Sequence, residues 1–164
     1  MKISMLASDL SDNSLGRAYL LGKVLMRRFE VEIIGPAFRD QIWYPCRADG
    51  IRYKMVRGHN FPAFLWDARR ILNSIEGQLV YAMKPLLTSF GVGILAKLGR
   101  KLPLILDIDD WEVGTYLLRS RCRLFWRLFS DLRKPVYSYP YALLVERLIG
   151  FADSITTSSD FLAQ

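Results

Sequence analysis

An apolar segment followed by acids is the part of the chain best suited to chemistry. Leu104, Ile105 and Leu106 are typical of a strand buried on both faces. The residues that follow are Asp107, Asp109, Asp110 and Glu112, with Trp111 among them. Such carboxylates repel one another in a low-dielectric interior. They therefore indicate a solvent-filled mouth, or a site for a cation or a hydroxyl-rich ligand.

Three roles are open to this acidic segment. Carboxylates accept paired hydrogen bonds from vicinal hydroxyls, and a tryptophan stacks on a sugar face. Aspartates without histidine also suit magnesium. In the plainest interpretation, Asp107 or Asp110 caps the next helix. We favour a ligand role for at least one of the aspartates.

A second candidate is the polar loop at residues 8–17, between the first expected strand and the first expected helix. Gly16 allows a backbone to approach a ligand closely, and the free N–H groups at a helix start favour an anion. The loop has no G-x-x-x-x-G-K pattern, so it is not a P-loop. An ordinary turn between strand and helix is the alternative.

Gly91, Gly93 and Ala96 spell a dinucleotide-binding fingerprint, which we reject. That fingerprint must join a strand directly to a helix, whereas residues 84–90 intervene here. Small residues on a helix packed closely against a sheet are the preferred interpretation.

Most of the net charge of +7 lies in one predicted helix, at residues 116–132 and the turn after it. Arg119, Arg123 and Arg127 recur every four residues beside an apolar flank, a pattern typical of a helix on an anionic membrane surface. A core helix with a solvated basic face is the alternative. One basic helix is weak evidence for nucleic acid, and none is expected as a partner.

The composition bounds the class of protein. At 164 residues, 51% hydrophobic and 24% charged, the chain fits one globular domain. Two cysteines and one histidine disfavour a zinc site, and no metal is expected. The N-terminus does not resemble a signal peptide, and no apolar run is long enough to span a membrane. We therefore expect a cytoplasmic protein with reduced thiols.

The elements that must position these residues alternate between strand and helix. The pattern predicts strands at 2–7, 31–35, 51–56, 79–83, about 103–108 and 154–158, with helices between most of them. Pro85 is expected to open one helix and Gly99 to stop it. Alternation implies a single α/β domain with a doubly wound, mostly parallel, Rossmann-like sheet. Residues 1–153 form that domain, and 154–164 form its last strand and the start of a truncated helix.

Three stretches carry a resemblance to a known family. They are KISML with the loop to Gly16-Arg17 and VEIIGP, then LVYAMKP with PLILDIDDWE, and finally ERLIGFADSITTSSDFLA. Together they resemble the N-terminal, acceptor-side half of family 4 glycosyltransferases. Those proteins have two Rossmann-like domains facing a cleft, the GT-B architecture.

The resemblance implies which residues bind substrates. It places Asp12, Asn13, Gly16 and Arg17 at the cleft, near the donor diphosphate and the acceptor. Asp109 stands where many relatives carry a histidine, with Asp110 after it, so Asp109 is the candidate catalytic residue. A carboxylate does not donate a hydrogen bond as neutral imidazole does, and binding of acceptor hydroxyls is its other expected role. Asp107, Asp110 and Trp111 complete the substrate-binding set.

The family's donor-binding residues, a basic pair and two glutamates eight apart, belong to its C-terminal domain, and no glutamate pair of that spacing occurs here. The resemblance thus implies half of a retaining glycosyltransferase. It would move a sugar from a nucleotide-sugar, its substrate, to a hydroxyl of a lipid-linked or polysaccharide acceptor, with no other cofactor. The chain alone is expected to be inactive, with a second domain supplied in cis or in trans. The basic helix would make it peripheral on the inner face of the membrane.

Two other functions stay open. The chain is otherwise a binding module or one subunit of a split transferase, or it is a Rossmann enzyme that uses a nucleotide cofactor.

Overall fold

The computed structural model describes residues 1–47, 50–114, 132–136 and 138–159. Within these ranges six strands form: β1 (Lys2–Leu6), β2 (Glu30–Ala37), β3 (Arg52–Arg57), β4 (Leu79–Met83), β5 (Leu104–Ile108) and β6 (Ser154–Thr157). The α-helices of the same ranges are α1 (Leu15–Leu25), α2 (Phe64–Ser74), α3 (Val92–Arg100) and α4 (Tyr139–Glu146). Shorter helical turns occur at Tyr44–Cys46, Leu87–Gly91 and Ile149–Phe151.

The six strands make one parallel sheet in the order β3-β2-β1-β4-β5-β6. This confirms the predicted doubly wound α/β fold. The chain leaves β1 toward β2 on one side, while β4 lies on the other side of β1. The strand order therefore reverses between β1 and β4, and in such sheets ligands bind beyond the carboxyl ends of the strands at that point.

Two apolar layers hold the helices on the sheet. Met5 and Ile33 point to one face, where α1 packs. Leu6 and Leu104 point to the other face, which carries α2, α3 and part of α4. All four side chains are fully buried, and burial of each such side chain contributes about 1.5–3 kcal/mol.

Gly93 shows how closely α3 approaches the sheet. A methyl group at this position would lie 2.8 Å from Leu104 Cδ1 and 3.6 Å from the Ala82 side chain. The preferred interpretation of the Gly91-Gly93-Ala96 pattern, small residues packed on the sheet, is confirmed at Gly93. Gly91 ends the turn before α3, and both glycines lie well beyond the end of β4.

The ends of α3 differ from the sequence prediction. Pro85 does not open the helix, because Leu86 is extended (φ −116°, ψ 156°) and a π-helical turn at Leu87–Gly91 precedes α3. Gly99 does not stop it either. The helix continues through Arg100, and Lys101 takes the left-handed conformation (φ 55°), with its N–H bonded to the Lys97 carbonyl at 2.8 Å.

One strand end also differs from the prediction. Pro36 lies inside β2, which ends at Ala37 instead of Gly35. Pro140 lies in the first turn of α4, where its missing N–H removes no intrahelical bond. A proline at the start of a helix therefore does not break it.

The amino-end edge of the sheet is closed by an ionic network. Glu32 is completely buried, and its carboxylate lies 2.8 Å from Lys54 Nζ and 3.1 Å from Lys2 Nζ. Glu76, in the loop before β4, contacts the same two lysines at 2.6 and 2.5 Å. Burial alone would raise the pKa of Glu32, but hydrogen bonds from Lys54 and Ser4 lower it. The network ties β1, β2 and β3 to the start of β4.

Candidate functional site

Polar residues gather at the opposite, carboxyl edge, on both sides of the point where the strand order reverses. The loop after β1 and the first turn of α1 carry Asp12, Asn13, Gly16 and Arg17. The acidic segment begins at Asp107 in β5, one strand beyond β4. The fold thus brings the two predicted groups to the same edge of the sheet.

Arg17 and Asp107 form a direct pair across that edge. The Arg17 guanidinium donates two hydrogen bonds to the Asp107 carboxylate, from Nε to Oδ2 and from Nη2 to Oδ1 at 2.8 Å. The hydrogen bond to Asp107 raises the pKa of Arg17. Asp107 is 1% exposed. Its carboxylate is therefore an internal anchor that holds α1 to β5.

A polar chain continues from Asp107 along the same face of the sheet. The Thr156 hydroxyl, on β6, donates to Asp107 Oδ1 at 2.8 Å. Tyr81, on β4, has its hydroxyl 2.8 Å from Thr156 Oγ1. Burial raises the pKa of the Tyr81 phenol more than the bond to Thr156 lowers it. The face beside β4, β5 and β6 is therefore polar at its carboxyl end.

Lys84 stands at the centre of the remaining acids. Its Nζ lies 3.1 Å from Asp109 Oδ1, 3.0 Å from Asp110 Oδ2 and 2.9 Å from Glu112 Oε1. The lysine immediately follows β4, and its N–H donates to the Asp107 carbonyl at 2.9 Å. Its φ of 71° is unusual for a side chain with a Cβ. The sequence analysis did not identify Lys84. The carboxyl ends of neighbouring parallel strands lie side by side, so a residue directly after β4 is close to the residues that follow β5.

Lys84 and Glu112 influence each other's pKa. Burial alone would lower the pKa of Lys84, but the charges of Glu112 and Asp109 outweigh burial and raise it. Burial raises the pKa of Glu112, although Lys84 opposes that shift. The oxygens of Asp109, Asp110 and Glu112 lie within 4.8 Å of one another, close enough to ligate a cation. The ammonium of Lys84 supplies a positive charge among them.

Asp110 and Trp111 form the outer part of the acidic segment. The Asp110 side chain is 64% exposed, and Trp111 is 52% exposed. The Trp111 indole N–H donates to Glu146 Oε1 at 3.0 Å. Beside them is a small cavity of about 130 Å³, whose walls include Pro85, Ile108, Trp111 and Ala142. These two side chains are the members of the acidic segment that face outward.

The loop after β1 is held rigidly. Asp9, 5% exposed, accepts hydrogen bonds at Oδ1 from the Ser11 N–H (2.8 Å) and hydroxyl (2.6 Å). The Ser11 hydroxyl oxygen also accepts from the N–H groups of Phe38 and Arg39. Burial raises the pKa of Asp9 more than the bonds from Ser11 lower it. The loops after β1 and β2 therefore form one unit.

The predicted residues of this loop have different surroundings. Asp12 Oδ1 accepts the Ser14 N–H at 2.9 Å, and Asn13 is exposed. A methyl group on Gly16 would contact the Trp43 ring at 3.4 Å. The indole of Trp43 therefore covers Gly16, which sequence reasoning had expected to face a ligand.

A cavity of about 440 Å³ opens at the carboxyl ends of β1, β2 and β3. Asp9 and Asp12 line it from the first loop, Phe38 and Arg39 from the second, and Asn60 from the third. Gly58, Lys134, Pro135 and Val136 complete its walls. Carboxylates and an amide beside an aromatic ring suit a ligand with several hydroxyl groups. Of these polar residues Asp12 was predicted by name and Asp9 lies in the same predicted loop, whereas Arg39, Asn60 and Lys134 come from other parts of the chain.

One predicted feature, the basic ridge, cannot be placed on this edge. Arg119, Arg123 and Arg127 lie outside the described residues. Within the described ranges, no helix has both the length and the apolar character needed to cross a membrane.

Comparisons with known proteins define the class of fold. No protein-family model and no curated protein matches the chain. Among solved structures, the chain is similar to Phytolacca americana UGT2 in its complex with UDP-2fluoro-glucose and pterostilbene. The TM-score is 0.55 at 10% sequence identity.

The match covers 96% of this chain and 46% of UGT2. The chain therefore spans about half the length of UGT2. The likeness is one of fold: a six-stranded parallel sheet with flanking helices, a Rossmann-like α/β fold in a single domain.

Proposed function

We propose that the chain is the acceptor-side domain of a glycosyltransferase. It would act in the transfer of a sugar from a nucleotide-sugar to a hydroxyl of a lipid-linked or polysaccharide acceptor, with retention at the anomeric carbon. Retention and the acceptor class rest on the resemblance to family 4. The coarser assignment is supported by the likeness in fold to UGT2, whose complex contains a UDP-sugar derivative and a second molecule.

The observation that carries the proposal is the 440 Å³ cavity at the carboxyl edge of this fold. Asp9 turns Oδ1 toward Ser11 and lines the cavity together with Asp12 and Asn60. An ionised carboxylate accepts hydrogen bonds strongly from hydroxyls. We assign this cavity to the acceptor.

Asp110 and Trp111, being exposed, would extend acceptor binding to the other side of the switch point. Asp109 is paired with Lys84, which favours a role in holding charge over a role as acid or base. Arg17 and Asp107 satisfy one another. Their proposed contribution is to fix α1 against β5.

The donor's diphosphate would be held mainly by a second domain, in cis or in trans. At this edge the charges of Arg17 and Asp107 neutralise one another, and the single positive charge of Lys84 lies among three carboxylates. Such an edge repels a diphosphate instead of stabilising it, whereas transferases need positive charge near the leaving group. The domain alone is therefore expected to have negligible turnover.

Titration of the ¹⁵N-labelled chain with mono- and disaccharides, their phosphates and UDP-glucose tests the assignment. We expect saccharides to shift amide signals of Asp9, Phe38 and Asn60, while UDP-glucose causes little change. Asp9→Asn should weaken saccharide binding about tenfold, since hydrogen bonds to charged groups contribute about 1.5–3 kcal/mol.

Glu76→Gln, at the other edge of the sheet, is the matched control and should bind as wild type does. Turnover of a nucleotide-sugar by the isolated chain would refute its role as an incomplete, acceptor-side domain. Saccharide shifts that map away from the cavity would refute the assignment of the acceptor site.

A further inference from the structure

The outer surface of α2 and α3 exposes large apolar side chains. Leu65 and Trp66 on α2 are 63% and 66% exposed, and Leu95 and Leu98 on α3 are 51% and 62% exposed. Leu95 and Leu98 are three residues apart and lie on one side of α3. Leu65 and Trp66 are adjacent in the first turn of α2 and point about 100° apart. We call these four residues, with the basic residues between and beside them, the α2–α3 face.

The charges on the α2–α3 face are mostly basic, although Lys97, between Leu95 and Leu98, pairs with the half-exposed Asp153 at 2.6 Å. Arg69, Arg70, Arg100 and Lys101 are exposed. The one acidic residue within the two helices, Asp67, is 1% exposed and accepts the His59 N–H at 2.8 Å. Among the described residues, neither Arg69, Arg70 nor Lys101 makes an ion pair. The face is therefore basic and apolar together.

Arg100 makes the two helices one surface. Its Nη1 donates to the carbonyls of Leu72 at 3.3 Å and Ile75 at 2.8 Å, at the end of α2. Both helices pack their other sides on the same face of the sheet. Their outer sides therefore form one layer on the side of the helices that faces away from the sheet.

We propose that the α2–α3 face is a docking surface for an anionic lipid bilayer. Tryptophan and leucine side chains insert at the boundary between headgroups and acyl chains, while arginine and lysine reach lipid phosphates from the same helix face. Complementarity of charge favours a bilayer rich in acidic lipid over a neutral one. The proposal depends on this surface alone and does not require that the protein transfer sugars.

Helix α1 provides an internal comparison on the opposite side of the sheet. Its outer side exposes Leu20 (65%) and Val24 (58%) next to Arg27 and Arg28. It has no exposed aromatic residue, and among the residues that the structure describes it is the one α-helix packed on its side of the core. Because the two faces are opposed, only one of them can lie on a flat bilayer.

Co-sedimentation with vesicles tests the proposal. The full chain should bind vesicles of equimolar phosphatidylglycerol and phosphatidylcholine, bind pure phosphatidylcholine far less, and lose binding as salt is added. Trp66→Ser/Leu98→Ser and, separately, Arg69→Ala/Arg70→Ala should each lower the partition coefficient about tenfold or more. All of these residues are exposed, and thermal unfolding verifies that each variant remains folded.

The matched controls are Leu20→Ser/Val24→Ser and Arg27→Ala/Arg28→Ala on α1, which should bind like wild type. An Arg119→Ala/Arg123→Ala/Arg127→Ala variant separates this face from the basic segment predicted from sequence. The proposal fails if wild type does not bind acidic vesicles, or binds neutral vesicles equally. It also fails if the α2–α3 variants bind normally while an α1 or triple-arginine variant loses binding.

Discussion

Lys84 changes how the acidic segment is understood. Without a positive charge nearby, Asp109, Asp110 and Glu112 would repel one another. From the sequence we therefore predicted that a ligand binds to this segment. The structure supplies a cation from the end of the neighbouring strand, within about 3 Å of all three. Lys84 was missed because its contacts with these acids depend on the pairing of β4 with β5. In the sequence the two strands are separated by a whole helix, α3.

Replacing Lys84 should destabilise the domain. Lys84→Met leaves three carboxylates near one another, two of them largely buried, and we expect a loss of about 2–4 kcal/mol in the free energy of unfolding at neutral pH. Part of this loss should be recovered on acidification, because burial already raises the pKa of Glu112 and the protonated side chain needs no cation. Urea unfolding across pH provides the measurement.

Lys84→Met/Glu112→Gln is the control for that experiment. It removes one of the stranded charges, so it should be more stable than the single variant at neutral pH. Equal stability of Lys84→Met and wild type would show that the ion pairs contribute nothing measurable.

At the scale of elements, strands were easier to predict than helix ends. The β4 prediction, 79–83, is confirmed residue for residue, since a short β-branched and aromatic run between polar residues admits little else. The ends of α3 failed because Pro85 and Gly99 were read as local signals. A π-helical turn and the left-handed Lys101 replace them, and both depend on how the chain returns to the sheet.

Two glycine substitutions separate local propensity from tertiary packing. Gly99→Ala should raise stability by about 0.5–1 kcal/mol, because Gly99 is inside α3 and a methyl group would meet nothing within 4 Å. Gly35→Ala should lower stability by more than that, since its methyl group would lie 2.6 Å from the Ala7 backbone oxygen. Chemical denaturation of both variants measures the difference. Equal effects of the two changes would contradict the packing described for β2.

At the scale of the molecule, the two edges of the sheet have opposite characters. The amino edge is closed by Lys2, Glu32, Lys54 and Glu76, which satisfy one another. The carboxyl edge has cavities and outward-facing polar side chains. Alternation of strands and helices predicted this fold and the edge that carries the site. Asp9 lies in the loop predicted at residues 8–17, but its cavity neighbours Arg39 and Asn60 were not predictable, because only the strand order brings them together.

The closed edge should make the protein sensitive to acid. Hydrogen bonds from Lys2 and Lys54 lower the pKa of Glu76 from 4.5 to about 2 in the folded state. Its stabilising effect is therefore fully present above about pH 4.5 and is lost as the pH falls toward 2. Thermal unfolding followed over this range should show a shallower decline for Glu76→Gln than for wild type.

Glu30→Gln, which removes an exposed carboxylate beside the same network, serves as the control and should follow the wild-type curve. A Glu76→Gln curve parallel to wild type would show that Glu76 is not a source of acid sensitivity.

The order of the strands also leaves the sheet with two unlike outer strands. Strand β3 carries Arg52, Lys54 and Arg57 along its length, and charged side chains of this kind discourage another strand from pairing. Strand β6 contains only Ser154, Ile155, Thr156 and Thr157, and its first three side chains are exposed. A further strand would therefore pair more readily with β6 than with β3. Loss of stability would favour association through β6, while the basic strand β3 resists it.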